Sequence, residues 1–364
     1  LKIYVCEHCK LVQMDEYKKS DDIFDKDYAY FSSYSTSWLA HAKSYVEMIS
    51  KKLSLNNDSF VTEIASNDGY LLQYFKEINI SCIGIEPTIS TAKAACEKGI
   101  EVIEDFFGTK LANGLKKSDL VLGNNVLAHV PDINDFVNDL KIVLKNNGTI
   151  TMEFPHILNI IKENQFDTIY HEHFSYFSFY TVRRIFEKHG LKIYDVEKLS
   201  THGGSLRIYA AHIENSHINI SGSVNKLLDE EREFGLFDMD IYKNFQEKAN
   251  KVKYDLLYFL LEAKKENKKV VAYGAAAKGN TLLNYAGIKN DLIEFVVDKS
   301  PHKQGKYLPA SHIPIVDEKN IIETKPDYIL IFPWNIKDEI VEQLAYVKDW
   351  NCEFIVAVPK LEII

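Results

Sequence analysis

The chain has 364 residues, 46% hydrophobic and 26% charged, with 43 basic against 52 acidic side chains and a formal charge of −9. At about 150 residues per domain this length predicts two to three domains with material for more than one core, which excludes disordered and fibrous classes. The acidic balance, with a pI near 5.8, speaks against a nucleic-acid binder, and with no apolar run of the roughly 18 residues a membrane span needs and no basic or hydrophobic leader, a cytoplasmic protein with a small-molecule site is expected.

Residues 1–57 open with Cys6 and Cys9 in a Cys-x-x-Cys knuckle. Such a knuckle is half of a tetrahedral zinc site, which usually takes a second pair. No second pair follows. Cys82, Cys96 and Cys352 are scattered in apolar settings, the usual company of inert thiols. With the chain starting at Leu1, the expectation is a truncated zinc-ribbon-like arm whose ligand set for Zn2+ is incomplete. The arm continues through a Tyr/Ser-rich run from Tyr28 to Tyr34 and a helix from Trp38 to Leu53.

From Phe60 the period changes. Phe60–Ala65 reads as a strand ending in the turn Ser66-Asn67-Asp68-Gly69, and Cys82–Glu86 as the next strand. Asp119–Gly123 and Gly148–Phe154 are further strands, Ile133–Leu144 and Thr181–His189 helices, and Ser205–Ala211 closes the sheet. Such alternation predicts a doubly wound parallel sheet over residues 58–215. Residues 216–364 begin with long connecting helices up to Glu266. A second strand-turn-helix start follows at Lys269–Gly279, then strands at Ile293–Asp298, Tyr328–Pro333 and Glu353–Val358. The fold class is therefore α/β, with two doubly wound Rossmann-like domains.

The first turn has one glycine, where the G-x-G-x-x-G of a dinucleotide site would place three, so NAD is disfavoured. Acidic Glu63 near the end of the first strand, the turn Ser66, Asn67 and Gly69, and Glu86 at the end of the second strand instead resemble class I S-adenosylmethionine methyltransferases. That resemblance implies that Glu86 accepts from the ribose hydroxyls and that the turn wraps the methionine part. It also implies that Asp105 and Phe106 flank the adenine.

Longer strings are more specific. Gly123–Asp132 with Asn124 and Asn125, Asp167–Ser178, Thr201–Arg207, Tyr273–Asn280, Val297–Pro309 and Trp334-Asn335 are similar to signatures of the deoxysugar C-methyltransferases. This resemblance runs over essentially the whole chain. It implies S-adenosylmethionine as cofactor, a nucleotide-linked keto sugar as substrate held between the two α/β domains, and an N-terminal module with two cysteine pairs, of which Cys6 and Cys9 match the second. Ala65 stands where the family often has glycine, a change between small residues.

Methylating a carbon beside a ketone requires a base for the α-proton, stabilisation of the enolate and in-line attack on the sulfonium methyl. The resemblance places the base at His173, with Tyr170 and Glu172 close to the reacting sugar; the aromatic run of the arm, read by itself, offers Tyr30 or Tyr34 for acid–base work or is ordinary aromatic packing. In a regular strand Tyr170 and Glu172 would face away from His171 and His173. A shared cavity therefore predicts an irregular loop, whereas an extended segment would let His171 and His173 chelate a metal. His129, His156 and His202 are candidates for substrate contact or for hydrogen-bonded core positions. Arg207 is a candidate phosphate or carboxylate partner, or half of an ion pair within the sheet, and Lys278, in the Gly274–Gly279 turn, a candidate for the diphosphate. An O- or N-methyltransferase and a noncatalytic sugar-nucleotide binder remain the alternatives, and the oligomeric state is open.

Overall fold

The computed structural model describes residues 1–24 and 30–364; Tyr28 of the aromatic run lies outside the described residues. The strands are β1 (Ile3–Val5), β2 (Val12–Met14), β3 (Phe60–Ile64), β4 (Ser81–Ile85), β5 (Glu101–Ile103), β6 (Ser118–Asn124), β7 (Leu144–Pro155) and β8 (Ser175–Tyr176). After these come β9 (Leu191–Leu199), β10 (Ser205–His212), β11 (Val270–Tyr273), β12 (Val296–Val297), β13 (Ile315–Val316), β14 (Tyr328–Ile331), β15 (Glu353–Val356) and β16 (Glu362–Ile363). The chain divides into two compact units. One comprises Lys2–His156 and His171–Phe237, the other Ile157–Tyr170 and Asp238–Ile364 together with Leu1.

The first unit is built on a sheet ordered β5-β4-β3-β6-β7-β10-β9. Strands β3 to β7 pair in parallel, and β10 runs antiparallel to both β7 and β9. Parallel strands need cover on both faces. Helix Ile133–Val143 supplies Phe136, Val137 and Leu140 to one face beside Phe179, Val182 and Phe186 of helix Phe179–Lys188. On the other face, helix Thr36–Lys52 buries Trp38, Ala42, Tyr45, Val46 and Ile49, a spacing of three and four that makes one apolar stripe. Ser35 starts that helix, its Oγ accepting from Trp38 N at 3.2 Å.

Two strands of this sheet are absent from the sequence-based reading. β5 has three residues. β9 lies at the edge, and its exposed or half-exposed Lys192, Asp195, Glu197 and Lys198 protect that edge while obscuring the apolar pattern. The N-terminal β1–β2 hairpin pairs with β8 as a small antiparallel sheet, and Met14 N donates to Phe174 O at 3.0 Å. The ribbon-like start thereby docks on the segment that directly follows His173.

Helix Gly222–Phe234, expected as a connector, belongs to this unit. Its fully buried Glu231 accepts from Phe179 N at 2.5 Å and Tyr180 N at 2.9 Å, and its Oε1 lies 2.7 Å from His156 Nε2. The carboxylate satisfies donors left open at a helix N-terminus and meets the favourable end of the helix dipole.

The second unit carries a sheet ordered β13-β12-β11-β14-β15-β16, parallel except for β16. Helices Phe245–Lys265 and Ala277–Ala286 cover one face through Leu256, Leu260, Leu282 and Leu283. Ile340, Leu344 and Val347 cover the other. Both sheets are thus α/β with parallel cores, as the alternation of elements implied. No described helix is long and apolar enough to cross a membrane.

Glu231→Ala leaves the Phe179 and Tyr180 N–H groups and His156 without their acceptor. It is expected to cost about 2–4 kcal/mol in urea unfolding, against less than about 0.5 kcal/mol for Ala at its more exposed neighbour Glu230.

Candidate active site

Where β3 ends, the backbone turns left-handed at Ala65 (φ 57°), Asn67 (φ 49°) and Gly69 (φ 72°). A Cβ on Gly69 would run into Ile100 Cδ1, so the single glycine of this turn serves both its φ and its packing. Glu86 follows the neighbouring strand β4 and is 5% exposed. Its Oε2 accepts from Asn67 N at 2.9 Å, and its Oε1 from Thr88 N at 2.9 Å and Thr91 Oγ1 at 3.1 Å. Burial pushes this carboxyl up, against the pull of the Thr88 and Asn67 amides. Beneath the turn, Glu63 and Ser66 are fully buried, and the Glu63 oxygens and Ser66 Oγ find no hydrogen bond within geometric limits among the described residues. Burial drives the Glu63 carboxyl well above the usual range, with the Tyr70 hydroxyl drawing it back.

A cavity of about 1020 Å³, its open mouth included, spreads from this turn. Asn67, Glu86 and Pro87 form one wall; Phe106, Phe107 and Pro131 give an apolar slot; Asn124, Asn125 and His129 line a further part. From the arm come Tyr30, Ser32 and Trp38. Asp105 turns back on its own loop, its Oδ1 accepting from Phe106 N at 2.8 Å. Asn124 Nδ2 donates to the Tyr70 hydroxyl at 3.2 Å. Asn125, itself left-handed, has Nδ2 at 2.6 Å from His202 Nε2, while its Oδ1 is buried with no partner among the described residues.

The segment that holds the expected base is irregular. His171 and Glu172 form a turn, not a strand, so the alternation of a strand does not separate Glu172 from His173. Phe174 N donates to Ala128 O at 2.8 Å, which pins the end of that turn against the His129 segment. The rings of His173 and His129 meet edge to face, centroids 4.8 Å apart, and His173 is 7% exposed. Burial pushes His129 down to about 4, so it is neutral at pH 7. His171 is exposed, its ring edge to face with Tyr17 at 5.9 Å. Tyr34 is exposed and stacks on Phe31.

Arg207 lies inside the sheet. Its guanidinium donates to Glu153 Oε2 at 2.8 Å and reaches Glu197 Oε2 at 3.4 Å, so the ion-pair reading accounts for its charge. Burial raises the Glu153 carboxyl, but His41, Arg207 and Thr201 together hold it below the usual range. Glu153, Trp38 and Tyr70 are the residues that sequence reasoning missed. Trp38 stacks on Tyr70 and His41 and meets His202 edge on, yet in the sequence it is only the first apolar residue of a helix.

In the second unit three separate sequence strings come together. Lys278 Nζ, in the first turn of helix Ala277–Ala286, donates to Asn335 Oδ1 at 3.0 Å and sits 4.1 Å over the Trp334 ring. Trp334 Nε1 donates to Asp167 Oδ2 at 2.7 Å. Asp167 is buried, and burial pushes it up to about 6, against the opposing pull of Lys278 and Trp334. Tyr170 belongs to this unit as well.

Cys6 and Cys9 share a tight turn, Lys10 N donating to Cys6 O and Cys6 N to Leu11 O, both at 2.9 Å. Among the described residues no group of three or more His, Cys, Asp or Glu is placed to hold a metal ion. Two thiols do not complete a tetrahedral zinc site.

The family profile described as methyltransferase domain matches residues 40–196, and that described as C-methyltransferase C-terminal domain matches residues 200–359. The C-methyltransferase NovU of Streptomyces niveus is 32% identical over 368 aligned residues, covering 100% of this chain and 87% of that protein. The chain belongs to this C-methyltransferase family. Among solved structures, PH0226 protein from Pyrococcus horikoshii OT3 aligns at 15% identity and TM-score 0.42, over 54% of this chain and 99% of that one. Magnesium protoporphyrin IX methyltransferase from Synechocystis PCC 6803 with bound SAH aligns at 16% identity and TM-score 0.39, over 48% and 83%. As a C-methyltransferase the chain uses S-adenosylmethionine. The cavity fits such a group: a buried carboxylate beside a left-handed turn, an aromatic slot and the orphaned Asn125 Oδ1 supply acceptors and stacking surface for a nucleoside with an amino-acid tail.

Glu86→Ala, which strips the cavity's turn of the carboxylate that holds Asn67 N, is expected to weaken S-adenosylhomocysteine binding about 10–100-fold by calorimetric titration. Asp167 predicts a pH signature. With its carboxyl raised to about 6, the folded chain keeps between about pH 4 and 6 a proton that the unfolded chain releases. Its contribution to stability therefore falls as pH rises through that window, and the melting-temperature difference between wild type and Asp167→Asn should fall from pH 4.5 to pH 7.

Proposed function

We propose that this C-methyltransferase methylates a ring carbon next to the ketone of a nucleotide-linked keto deoxysugar, with His173 taking the α-proton. The observation that carries the reading is His173 held edge-on to a neutral His129 that lines the cofactor cavity. An imidazole is the side chain suited to remove such a proton near pH 7. Neutral His129 puts no positive charge beside it.

S-adenosylmethionine supplies the electrophilic methyl when bound. Glu86 and the turn at Asn67 would hold its nucleoside and methionine parts, with Phe106 as the ring available to the adenine. His173 accepts the proton on a ring nitrogen, leaving the electron pair on the sugar carbon and its carbonyl oxygen. Tyr30 offers its hydroxyl to the enolate oxygen, and Glu172 orients the sugar or the imidazole. Within its own unit Lys278, at the first turn of a helix beside a glycine-bearing turn, is a basic group of the kind a phosphate takes.

His173→Ala should abolish methyl transfer, by at least about 100-fold, while S-adenosylhomocysteine binding stays intact. Incubation of wild type with a nucleotide-linked 4-keto-6-deoxy sugar in deuterated water should exchange hydrogen at the carbon beside the ketone, and His173→Ala should not. Unchanged turnover in the variant, or no exchange in the wild type, contradicts the assignment.

A further inference from the structure

Residues 30–31, which bring Tyr30 to the cavity, lie in neither strand nor helix, and the single turn Ser32–Tyr34 follows. Side chains of the cofactor turn hold it. Asn67 Oδ1 accepts from Ser32 N at 2.9 Å, and Asn67 Nδ2 donates to Tyr30 O at 3.1 Å, so one amide grips the backbone from both sides. The next residue, Asp68, is 3% exposed and its Oδ2 accepts from Ser33 N at 3.4 Å. Lys98, just past helix Ile89–Glu97, bridges the turn and the arm. Its Nζ donates to Asp68 O at 2.7 Å and to Ser33 Oγ at 2.7 Å, and lies 3.3 Å from Asp68 Oδ2.

A buried carboxylate needs a countercharge to remain an acceptor. Among the described residues Lys98 is the cation in ion-pair contact with Asp68. Lys98 is not among the residues lining the cavity. The cofactor turn has supports besides Lys98: Glu86 holds Asn67 N, Ile85 O accepts from Ser66 N at 3.1 Å and Ser66 O from Gly69 N at 3.1 Å. Asn67 holds the arm on either side of Phe31, and Lys98 adds the contact one residue further on, at Ser33.

We infer that Lys98 is a positioning residue for the reaction, clamping Ser33 to Asp68 so that Tyr30 is set at the cavity wall. This rests on the role given to Tyr30 in the proposed function. The expected signature is a split: turnover falls while cofactor affinity holds.

The test combines two readouts on the full chain. In Lys98→Met, amide hydrogen exchange of residues 30–35, measured with S-adenosylhomocysteine bound, should accelerate about tenfold or more. The Kd for S-adenosylhomocysteine, by calorimetry, should stay within about threefold of wild type. Lys98→Arg should restore most of the protection, since it keeps the charge. With a nucleotide-linked 4-keto-6-deoxy sugar as substrate, kcat of Lys98→Met should fall about tenfold and recover in Lys98→Arg. Unchanged exchange in Lys98→Met overturns the inference, as does a loss of S-adenosylhomocysteine affinity as large as the loss of protection, which would place Lys98 in the turn itself. Should Lys98→Met fail to fold, Ser33→Ala must give the same change in smaller measure, and no change overturns it. Because exchange and calorimetry need no sugar, a wrong substrate assignment would leave these two results standing.

Discussion

The bond between Glu86 and the Asn67 amide decides the geometry of the methyltransferase unit. β3 and β4 lie side by side and in parallel, with Ile64 opposite Ile85, so their carboxyl ends open at the same level. The chain leaving β3 must turn sharply, and it does so through three left-handed residues, two of them not glycine. Backbone in that region is costly for Ala65 and is sustained only where neighbours over-determine it. The Glu86 carboxylate, itself raised by burial, supplies that constraint, and the cavity takes its floor from the result.

The other polar contacts extend outward from this point. Asn67 faces the arm with its side chain while its amide faces Glu86, so one residue ties cofactor turn and aromatic segment together. On the far side of the sheet centre, Asn125 N donates to Glu153 O at 2.7 Å, and the Glu153 side chain holds Thr201 at 2.7 Å, next to His202. His202 in turn meets Asn125. Arg207 is part of that support and not of the open cavity. A charge consumed within the sheet sets the shape of the loop that bears His202, and so acts on the site without facing it.

The architecture was largely legible because parallel strands buried on both faces write continuous apolar runs, as in Leu120–Leu122 and Val270–Tyr273. The short edge strand β5 and the charged edge strand β9 carry no such run and stayed hidden. Of the candidate site, Asn67, Glu86, Phe106, Asn124, Asn125, His129 and Tyr30 do line one cavity. Glu63 and Ser66 were visible as a motif, but their place under the turn depends on packing that spacing does not encode. Trp38 was unreadable as a cavity residue, since an apolar residue opening an amphipathic helix looks the same whether it faces a core or a cavity. The meeting of Lys278, Trp334 and Asp167 joins positions far apart in the chain, which only the fold brings together.

The reaction we propose delivers the methyl group to a carbon made nucleophilic by its neighbouring ketone. The most direct measurement combines S-adenosylmethionine labelled with 13C at the methyl group and a nucleotide-linked 4-keto-6-deoxy sugar uniformly labelled with 13C in the sugar, followed by carbon NMR of the product. The account predicts a methyl signal split by one-bond coupling to a ring carbon adjacent to the ketone. A methyl signal without that coupling, at the shift of a methyl on oxygen or nitrogen, would contradict it.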